Sequence, residues 1–382
     1  MKKILAILTS AVIYGKERSN IEVYNLIKDK TDYNLKVVVN KHANNNLKAA
    51  MSDVNLCPII TPTRQKGKFR ILRFIFTYLI GNIQLATILI KYRPDKLFMC
   101  SELNFYDFYP ALLLHKGDIV YRIGDAPGVF HGLAMKAYNS YVWKNYIMKR
   151  ITRVVCISKY IMNCFADEGR DMTNDVIIYN YPPTRKHITK DESSLYLNPT
   201  SDSLVFGYIG QLTKDKGVHH YIQAALQILK TKHNTLFYIA GSTKYDEEYS
   251  KYIFGLVPND YCNNIIFLNE ISNIELFFNH IDVLCVPSIK QEPLGNVIVE
   301  AKQYSKPCII YPTGGMPELI TDGEDGFICN APDSNSLLEQ MKNYIDNKQL
   351  SLIQGKMAHE SILKKGLDRD SYEKKWLKVI NE

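Results

Sequence analysis

Three stretches in the second half of the chain set charged side chains beside glycines at spacings that suit a phosphate-bearing ligand. The first is Gly207-Tyr208-Ile209-Gly210-Gln211-Leu212-Thr213-Lys214-Asp215-Lys216-Gly217, which ends an apolar run and opens a helical one. Backbone N–H groups at a helix start face an anion, and the positive end of the helix dipole adds to them. Lys216 supplies a full charge and Gln211 a neutral donor. Taken alone this is a turn with a lysine in it, and a surface lysine reads equally well. The second stretch is Pro287-Ser288-Ile289-Lys290-Gln291-Glu292-Pro293-Leu294-Gly295-Asn296-Val297-Ile298-Val299-Glu300-Ala301. Pro293 suits a first helical turn, which sets Glu300 about two turns in, roughly 12 Å along the axis. That is about the span from a sugar to a ribose. Glu300 can accept from both ribose hydroxyls, as carboxylates do in dinucleotide sites. Glu292 can touch sugar hydroxyls, and the amides of Leu294, Gly295 and Asn296 can hold phosphate oxygens. Without the first stretch, two exposed glutamates beside an ordinary helix is the better reading. The third stretch is Pro312-Thr313-Gly314-Gly315-Met316-Pro317-Glu318-Leu319-Ile320, then Asp322-Gly323-Glu324-Asp325-Gly326-Phe327. Glycines at a strand end permit close approach of a ligand; as a plain turn this is unremarkable.

Each stretch follows a short apolar run and leads into a helical one, the pattern of strand–turn–helix units. Strands are expected at 204–209, 235–240, 264–268, 282–286, 307–311 and 326–329, with helices between them such as 218–230 and 294–304. The first half has the same alternation, with strands at 4–8, 36–39, 95–99, 118–121 and 153–157 and helices at 20–28 and 138–150. The fold class is therefore α/β, two Rossmann-like domains with helices on both faces of parallel sheets. The proline-bearing polar stretch from 182 onward separates them. The expected division is 1–185, a linker at 186–202, a second domain at 203–366, and a C-terminal helix at 367–382 that returns to the first. Ligands of open α/β sheets bind beyond the carboxyl ends of the strands, here in a central cleft that the two domains face.

The bulk numbers agree with two soluble domains. The chain has 382 residues, 46% apolar and 23% charged, with 47 Lys and Arg against 39 Asp and Glu, a net charge of +8. A mildly basic balance fits phosphate ligands or an anionic membrane face, and a solvated surface fits as well. The eight cysteines are scattered, without C-x-x-C or zinc spacing, and read as reduced core thiols of a cytoplasmic protein. Met1-Lys2-Lys3 and the apolar residues after it superficially resemble a signal peptide. The run is short and lacks a small-x-small cleavage site, so it reads as a first buried strand. The nearest approach to a membrane span, 71–90, is interrupted by Arg73, Asn82 and Gln84 and weakened by Gly81.

In this order and spacing the three stretches resemble the retaining GT-B glycosyltransferases of glycosyltransferase family 4, the glycosyl transferases group 1. That family's second domain carries a Gly-Arg…Lys-Gly turn, a Glu-x7-Glu segment after Pro-Ser, and a Gly-Gly-x-x-Glu turn before Asp-Gly-x-x-Gly. They stand here as Gly210-Gln211…Lys216-Gly217, Glu292…Glu300, Gly314-Gly315-Met316-Pro317-Glu318 and Asp322-Gly323…Gly326. More weakly, Gly15-Lys16-Glu17-Arg18 resembles the family's loop after the first strand, which approaches the donor phosphate. Val154 to Lys159 resembles the last strand of the first domain, and Ile178 to Pro182 the crossover. The resemblance implies a hexosyltransferase-type enzyme that moves a sugar, with retention, from a UDP- or GDP-sugar to a glycan or lipid-linked glycan, in cell-surface polysaccharide synthesis. It implies catalytic roles for Lys216, Glu292 and Asp125. It implies donor binding by Gly15, Lys16, Gln211, Lys216, Leu294, Gly295, Asn296 and Glu300. In the family the acceptor hydroxyl attacks from the face of the leaving group and its proton passes to the phosphate. The sequence reads as lacking an Asp-x-Asp motif to hold a divalent ion, and neither a metal nor another cofactor is expected.

Two departures bear on this. Gln211 stands where the family has Arg, which throws phosphate binding onto Lys216. Gly124 stands where the family has His, in Arg122-Ile123-Gly124-Asp125. Asp125 is then the residue toward the acceptor, with Arg122 as compensating charge. His131 is a substitute nearby, although a solvated or structural loop histidine is the blander reading. On the acceptor side, the basic and aromatic segment 64–76 has two open readings. It could lie on the inner membrane face as a peripheral contact, or be a buried helix with a basic lead-in. A nucleotide-sugar epimerase of the same architecture, or a catalytically weak nucleotide-sugar-binding partner subunit, are the rival functions. A dehydrogenase is disfavoured because no G-x-G-x-x-G follows the first strand. Nucleic-acid binding is not supported, since the basic residues are dispersed.

Overall fold

A computed structural model describes residues 1–11, 15–64, 67–126, 141–181, 203–231 and 234–382. The chain divides into two compact units, Met1–Asn180 with Arg369–Glu382, and Tyr181–Asp368. The expected linker, 186–202, lies outside the described residues.

Unit 1 is built on seven parallel strands: β1 (Lys3–Leu8), β2 (Asn34–Asn40), β3 (Asn55–Ile59), β4 (Lys96–Met99), β5 (Asp118–Ile123), β6 (Arg153–Cys156) and β7 (Val176–Ile177). Their order is β3-β2-β1-β4-β5-β6-β7. β1 lies inside the sheet, between β2 and β4, and Ile4 to Leu8 are fully buried. A parallel strand covered on both faces needs a continuous apolar run, which is what this one has. β3 and β7 went unforeseen for a related reason. β3 is an edge strand whose only fully buried residue is Ile59, and it carries Pro58, tolerated only at an edge. β7 is two residues long, yet it rather than β6 closes the sheet. The helix Arg369–Asn381 belongs to this unit. Trp376 packs on Phe98 with ring centroids 6.3 Å apart, and the Tyr372 hydroxyl donates to the Ser19 carbonyl at 3.4 Å. Buried Lys96 donates to the Ile380 carbonyl at 2.9 Å, occupying an acceptor that the helix end leaves open.

Unit 2 is built on six parallel strands: β8 (Val205–Ile209), β9 (Leu236–Ala240), β10 (Ile265–Asn269), β11 (Val283–Val286), β12 (Cys308–Ile310) and β13 (Gly326–Ile328). Their order is β10-β9-β8-β11-β12-β13. The chain leaves β8 toward one edge and returns at β11 toward the other, so β8 and β11 flank the point where the winding reverses. Ligands of open parallel sheets bind at the carboxyl ends of the strands beside such a point. Five of the eight cysteines are buried in the two cores. Burial pushes the Cys100 thiol up to about 11 and that of Cys308 up to about 12, so both stay protonated and inert.

Candidate active site

In unit 2, three loops follow the neighbouring strands β8, β11 and β12, and the backbone ties them to one another. The loop after β8 ends in a short 3-10 turn, Lys214–Lys216, and Gly217 leads into the helix Val218–Leu229. The amides of Ile289 and Lys290, in the loop after β11, both donate to the Asp215 carbonyl, at 2.8 and 3.2 Å. Gly217 has φ 70°, and a Cβ there would lie 1.9 Å from the Pro287 carbonyl oxygen. Only glycine permits both the left-handed backbone and that approach. The loop after β12 closes on the same segment. The Gly315 amide donates to the Glu292 carbonyl at 2.7 Å, the Thr313 hydroxyl to the Ser288 carbonyl at 2.9 Å, and the Gly314 amide to the Gln291 side chain. Gly314, at φ 60°, would carry a Cβ 2.0 Å from the Glu292 carbonyl oxygen. The glycines therefore do structural work here, locking three loops together at the strand ends.

That locking brings Lys216 to Glu292. The Lys216 ammonium is in direct contact with a Glu292 carboxylate oxygen, both side chains partly buried. The two residues are 76 positions apart in sequence. A charged pair so placed, beside a helix start, can exchange partners with a ligand that presents both an anion and hydroxyl groups.

The helix behind Glu292 starts later than its sequence suggests. It spans Asn296–Gln303, with Gly295 as its N-cap, not from Pro293. Pro293, Leu294 and Gly295 form an irregular lead-in, and Leu294 is buried. Glu300 therefore lies only about one turn into the helix, roughly 6 Å along the axis from Asn296, and is half-buried. The amides of Leu294, Gly295 and Asn296 fall at this start. Gln211, in the loop after β8, is exposed. Its carbonyl accepts from the buried Tyr208 hydroxyl at 2.8 Å, which braces the loop from within the core.

Residues 190–360, the bulk of unit 2, match the family described as Glycosyl transferases group 1. Unit 2 carries a glycosyl transferases group 1 domain. Over 219 residues the chain is 26% identical to the capsular polysaccharide biosynthesis glycosyltransferase CapM of Staphylococcus aureus, covering 54% of this chain and 56% of that one. The chain thus spans about half the length of this curated relative. The whole fold is similar to that of Anabaena Alr3699/HepE, solved with UDP and glucose, with a TM-score of 0.77 at 19% identity over 100% of both chains. It is equally similar to a glycosyltransferase from Rickettsia africae ESF-5, with a TM-score of 0.79 at 18% identity, covering 99% of this chain and 97% of that one. The architecture is GT-B.

Within the group 1 domain the Asp322-Gly323…Gly326 turn is structural. Asp322 accepts from the Ile328 amide at 2.8 Å, and Asp325 forms a fully buried ion pair with Lys302 at 2.6 Å. Lys302 also donates to the Ser361 hydroxyl at 2.7 Å. A buried pair satisfied this way holds the turn, the helix Asn296–Gln303 and the helix Gln349–Lys364 in one arrangement; removal of either partner would strand a charge. Sequence reasoning passed over His219 and His220, in the first turn of the helix Val218–Leu229. His219 meets the Tyr249 hydroxyl at 2.8 Å, and His220 meets that of Tyr311 at 3.1 Å. Partial burial, then the neighbouring His220 and Lys214, push His219 down to about 4. Burial lowers His220 as well. Both imidazoles are neutral near pH 7 and add no charge to the Lys216 turn. The adjacent pair, one residue after Lys216-Gly217, was the available signal.

The remaining sequence-assigned residues lie in unit 1. Gly15 opens the helix Gly15–Lys30, and Lys16 pairs with Asp125 at 3.1 Å. The pair joins the segments after β1 and β5. Arg122 cannot serve as a compensating charge at the surface. It is buried, donating to Asn20 at 3.0 Å and Asn180 at 2.6 Å. It lies within β5, where Ile119 to Ile123 are all buried on both faces of the sheet, while Asp125 lies beyond the strand end. His131 lies outside the described residues. Contrary to the expectation that the sequence lacks an Asp-x-Asp, the chain holds one, Asp368-Arg369-Asp370. It leads into the helix Arg369–Asn381, where Arg369 pairs with Glu373 at 2.7 Å.

Proposed function

We propose that the chain is a retaining glycosyltransferase that moves a hexosyl group from a UDP- or GDP-sugar to a glycan or lipid-linked glycan acceptor, in the synthesis of a cell-surface polysaccharide at the cytoplasmic face. The observation that carries this reading is the meeting of Lys216 and Glu292 where the loops after β8, β11 and β12 lock together.

The diphosphate replaces Glu292 as the partner of Lys216. Glu292, released, turns to the hydroxyls of the transferred sugar, and Glu300 accepts from the ribose hydroxyls. The amides at the start of the helix Asn296–Gln303 hold phosphate oxygens. As the bond between the anomeric carbon and the β-phosphate oxygen breaks, negative charge builds on that oxygen. Lys216 and the amides stabilise it from preset positions, each well-aimed donor contributing about 3–4 kcal/mol. The acceptor hydroxyl forms the new bond to the anomeric carbon on the face the diphosphate leaves, and its proton passes to the departing phosphate oxygen. The products are the glycosylated acceptor and the nucleoside diphosphate. Nothing in this sequence of bonds calls for a metal, so turnover is expected to survive a chelator. In unit 1 the reading gives Lys16 to the donor phosphate and Asp125 to the acceptor.

The reading is supported by the group 1 domain and by the name of the S. aureus relative, a capsular polysaccharide glycosyltransferase. It is tested by calorimetric titration with UDP-, GDP-, ADP- and TDP-sugars, followed by assay with the sugar that binds. Transfer or slow hydrolysis of a bound UDP- or GDP-sugar is expected. Epimer formation without acceptor, or binding without any turnover, would assign the site to one of the rival functions.

A further inference from the structure

The helix Arg70–Tyr92 of unit 1 buries only part of its surface. Its inner face is docked by the residues that interrupted its apolar run. A Cβ on Gly81 would lie 2.4 Å from the Ile60 carbonyl oxygen, so glycine lets the helix sit against the loop after β3. Asn82 donates to the Asp107 carbonyl at 2.8 Å and accepts from the Ala111 amide at 3.2 Å. Gln84 accepts from the Ile60 amide at 2.8 Å. Opposite this face, Leu72, Ile75, Phe76, Leu79, Ile83 and Ile90 are each 47% or more exposed. At 3.6 residues per turn they share an arc of about 100° and run for about 27 Å. Isolated exposed apolar residues mean little, but six in one stripe mark a surface that meets something.

We infer that this stripe lies on an anionic lipid bilayer, in the plane of the interface. Charge selects the occupant. Residues 64–93 contain seven Lys or Arg and no Asp or Glu. Lys68 and Arg70 are exposed at the N-terminal end of the stripe, and Lys91 near its other end. An apolar face flanked by basic residues is the pattern of an interfacial helix on anionic lipid. A second copy is disfavoured, since a two-fold contact would set this basic segment against itself. A membrane-spanning role does not fit, because the opposite face is hydrogen-bonded to unit 1. The buried-helix reading of the 64–76 segment is set aside by the same exposures. This inference stands independently of the transfer reaction.

The test is co-flotation of the full chain with vesicles of phosphatidylcholine alone and of phosphatidylcholine with phosphatidylglycerol. Binding to the anionic vesicles is expected to exceed binding to the neutral ones at least tenfold and to weaken with added salt. The double variant Leu79→Glu, Ile83→Glu should lose at least tenfold in vesicle binding, and Lys68→Glu, Arg70→Glu should lose the preference for anionic lipid. Both should keep the wild-type melting temperature, because the altered side chains are exposed, and the wild-type affinity for UDP. The inference is overturned if the wild-type chain floats with neither vesicle, binds both equally, or forms a dimer in solution that the Leu79→Glu, Ile83→Glu variant dissolves.

Discussion

The ion pairs of the two units look alike and are built differently. Lys216–Glu292 is the meeting point of three loops joined by backbone hydrogen bonds, with Gly217 and Gly314 pressed against carbonyl oxygens of the neighbouring loop. Lys16–Asp125 is a side-chain contact between two segments of unit 1, with Asp125 substantially exposed. A Cβ added to Gly15 would meet nothing within 4 Å, and one on Gly124 only the Lys16 Cγ at 3.8 Å. Backbone locking holds a site to one geometry, which suits a group shared by every turnover, such as a diphosphate. A side-chain contact tolerates change, which suits a group that differs between related enzymes. On the proposed function, that contrast makes the Lys216–Glu292 pair preorganised and the Lys16–Asp125 pair the more adaptable of the two.

The largest expected effect comes from Lys216→Ala, which should lower kcat by about 10²–10³ and leave the melting temperature near that of the wild type, as the side chain is only partly buried. Unfolding of this variant at ordinary temperature would show that the lysine holds the loops rather than the ligand. Next is the glycine comparison. Gly314→Ala forces a Cβ into the Glu292 carbonyl at a positive φ, a strain on the order of 1–3 kcal/mol, and should weaken UDP-sugar binding about tenfold or more. Gly124→Ala, by the same titration, should change nothing measurable. Equal effects at the two glycines would erase the contrast between the units. Asp125→Asn should raise the acceptor KM several-fold while donor affinity stays constant, and a loss confined to donor affinity would move Asp125 to the other side of the reaction.

The smallest effect concerns pH. His219 in the folded chain sits at about 4, below its ordinary value of 6.5. The unfolded chain therefore binds the extra proton first, so stability falls as pH drops from about 6.5 toward 4 and is insensitive to this group above that window. His219→Asn should flatten that part of the stability curve, read from urea melts at several pH values. An unchanged slope would mean the imidazole is already charged when folded.

What could be read from the sequence follows the same division. The strands of unit 2 were legible because most are short apolar runs, fully buried in β9, β11 and β12. The loops that meet there were legible because Gly217 and Gly314, each pressed against a carbonyl oxygen of the neighbouring loop, stand at turns that follow apolar runs. The start of the helix Asn296–Gln303 was misplaced because Pro293 fits a first helical turn locally, whereas tertiary packing buries Leu294 and hands the cap to Gly295. Arg122 was misassigned because it stands two residues before Gly124, in the stretch that resembles the family's acceptor side. Its partners, Asn20 and Asn180, are 102 and 58 positions away. No local pattern records such pairings. The outward face of Arg70–Tyr92 stayed ambiguous for a similar reason, since apolar periodicity tells which residues share a face but not whether protein covers it.

The most direct test of the central claim is a structure of the chain with a UDP-sugar bound. The account predicts that Lys216 leaves Glu292 and sits within about 3 Å of a β-phosphate oxygen, with Glu292 on the sugar and the diphosphate against the start of the helix Asn296–Gln303. A nucleotide bound elsewhere, with Lys216 and Glu292 still paired, would contradict it.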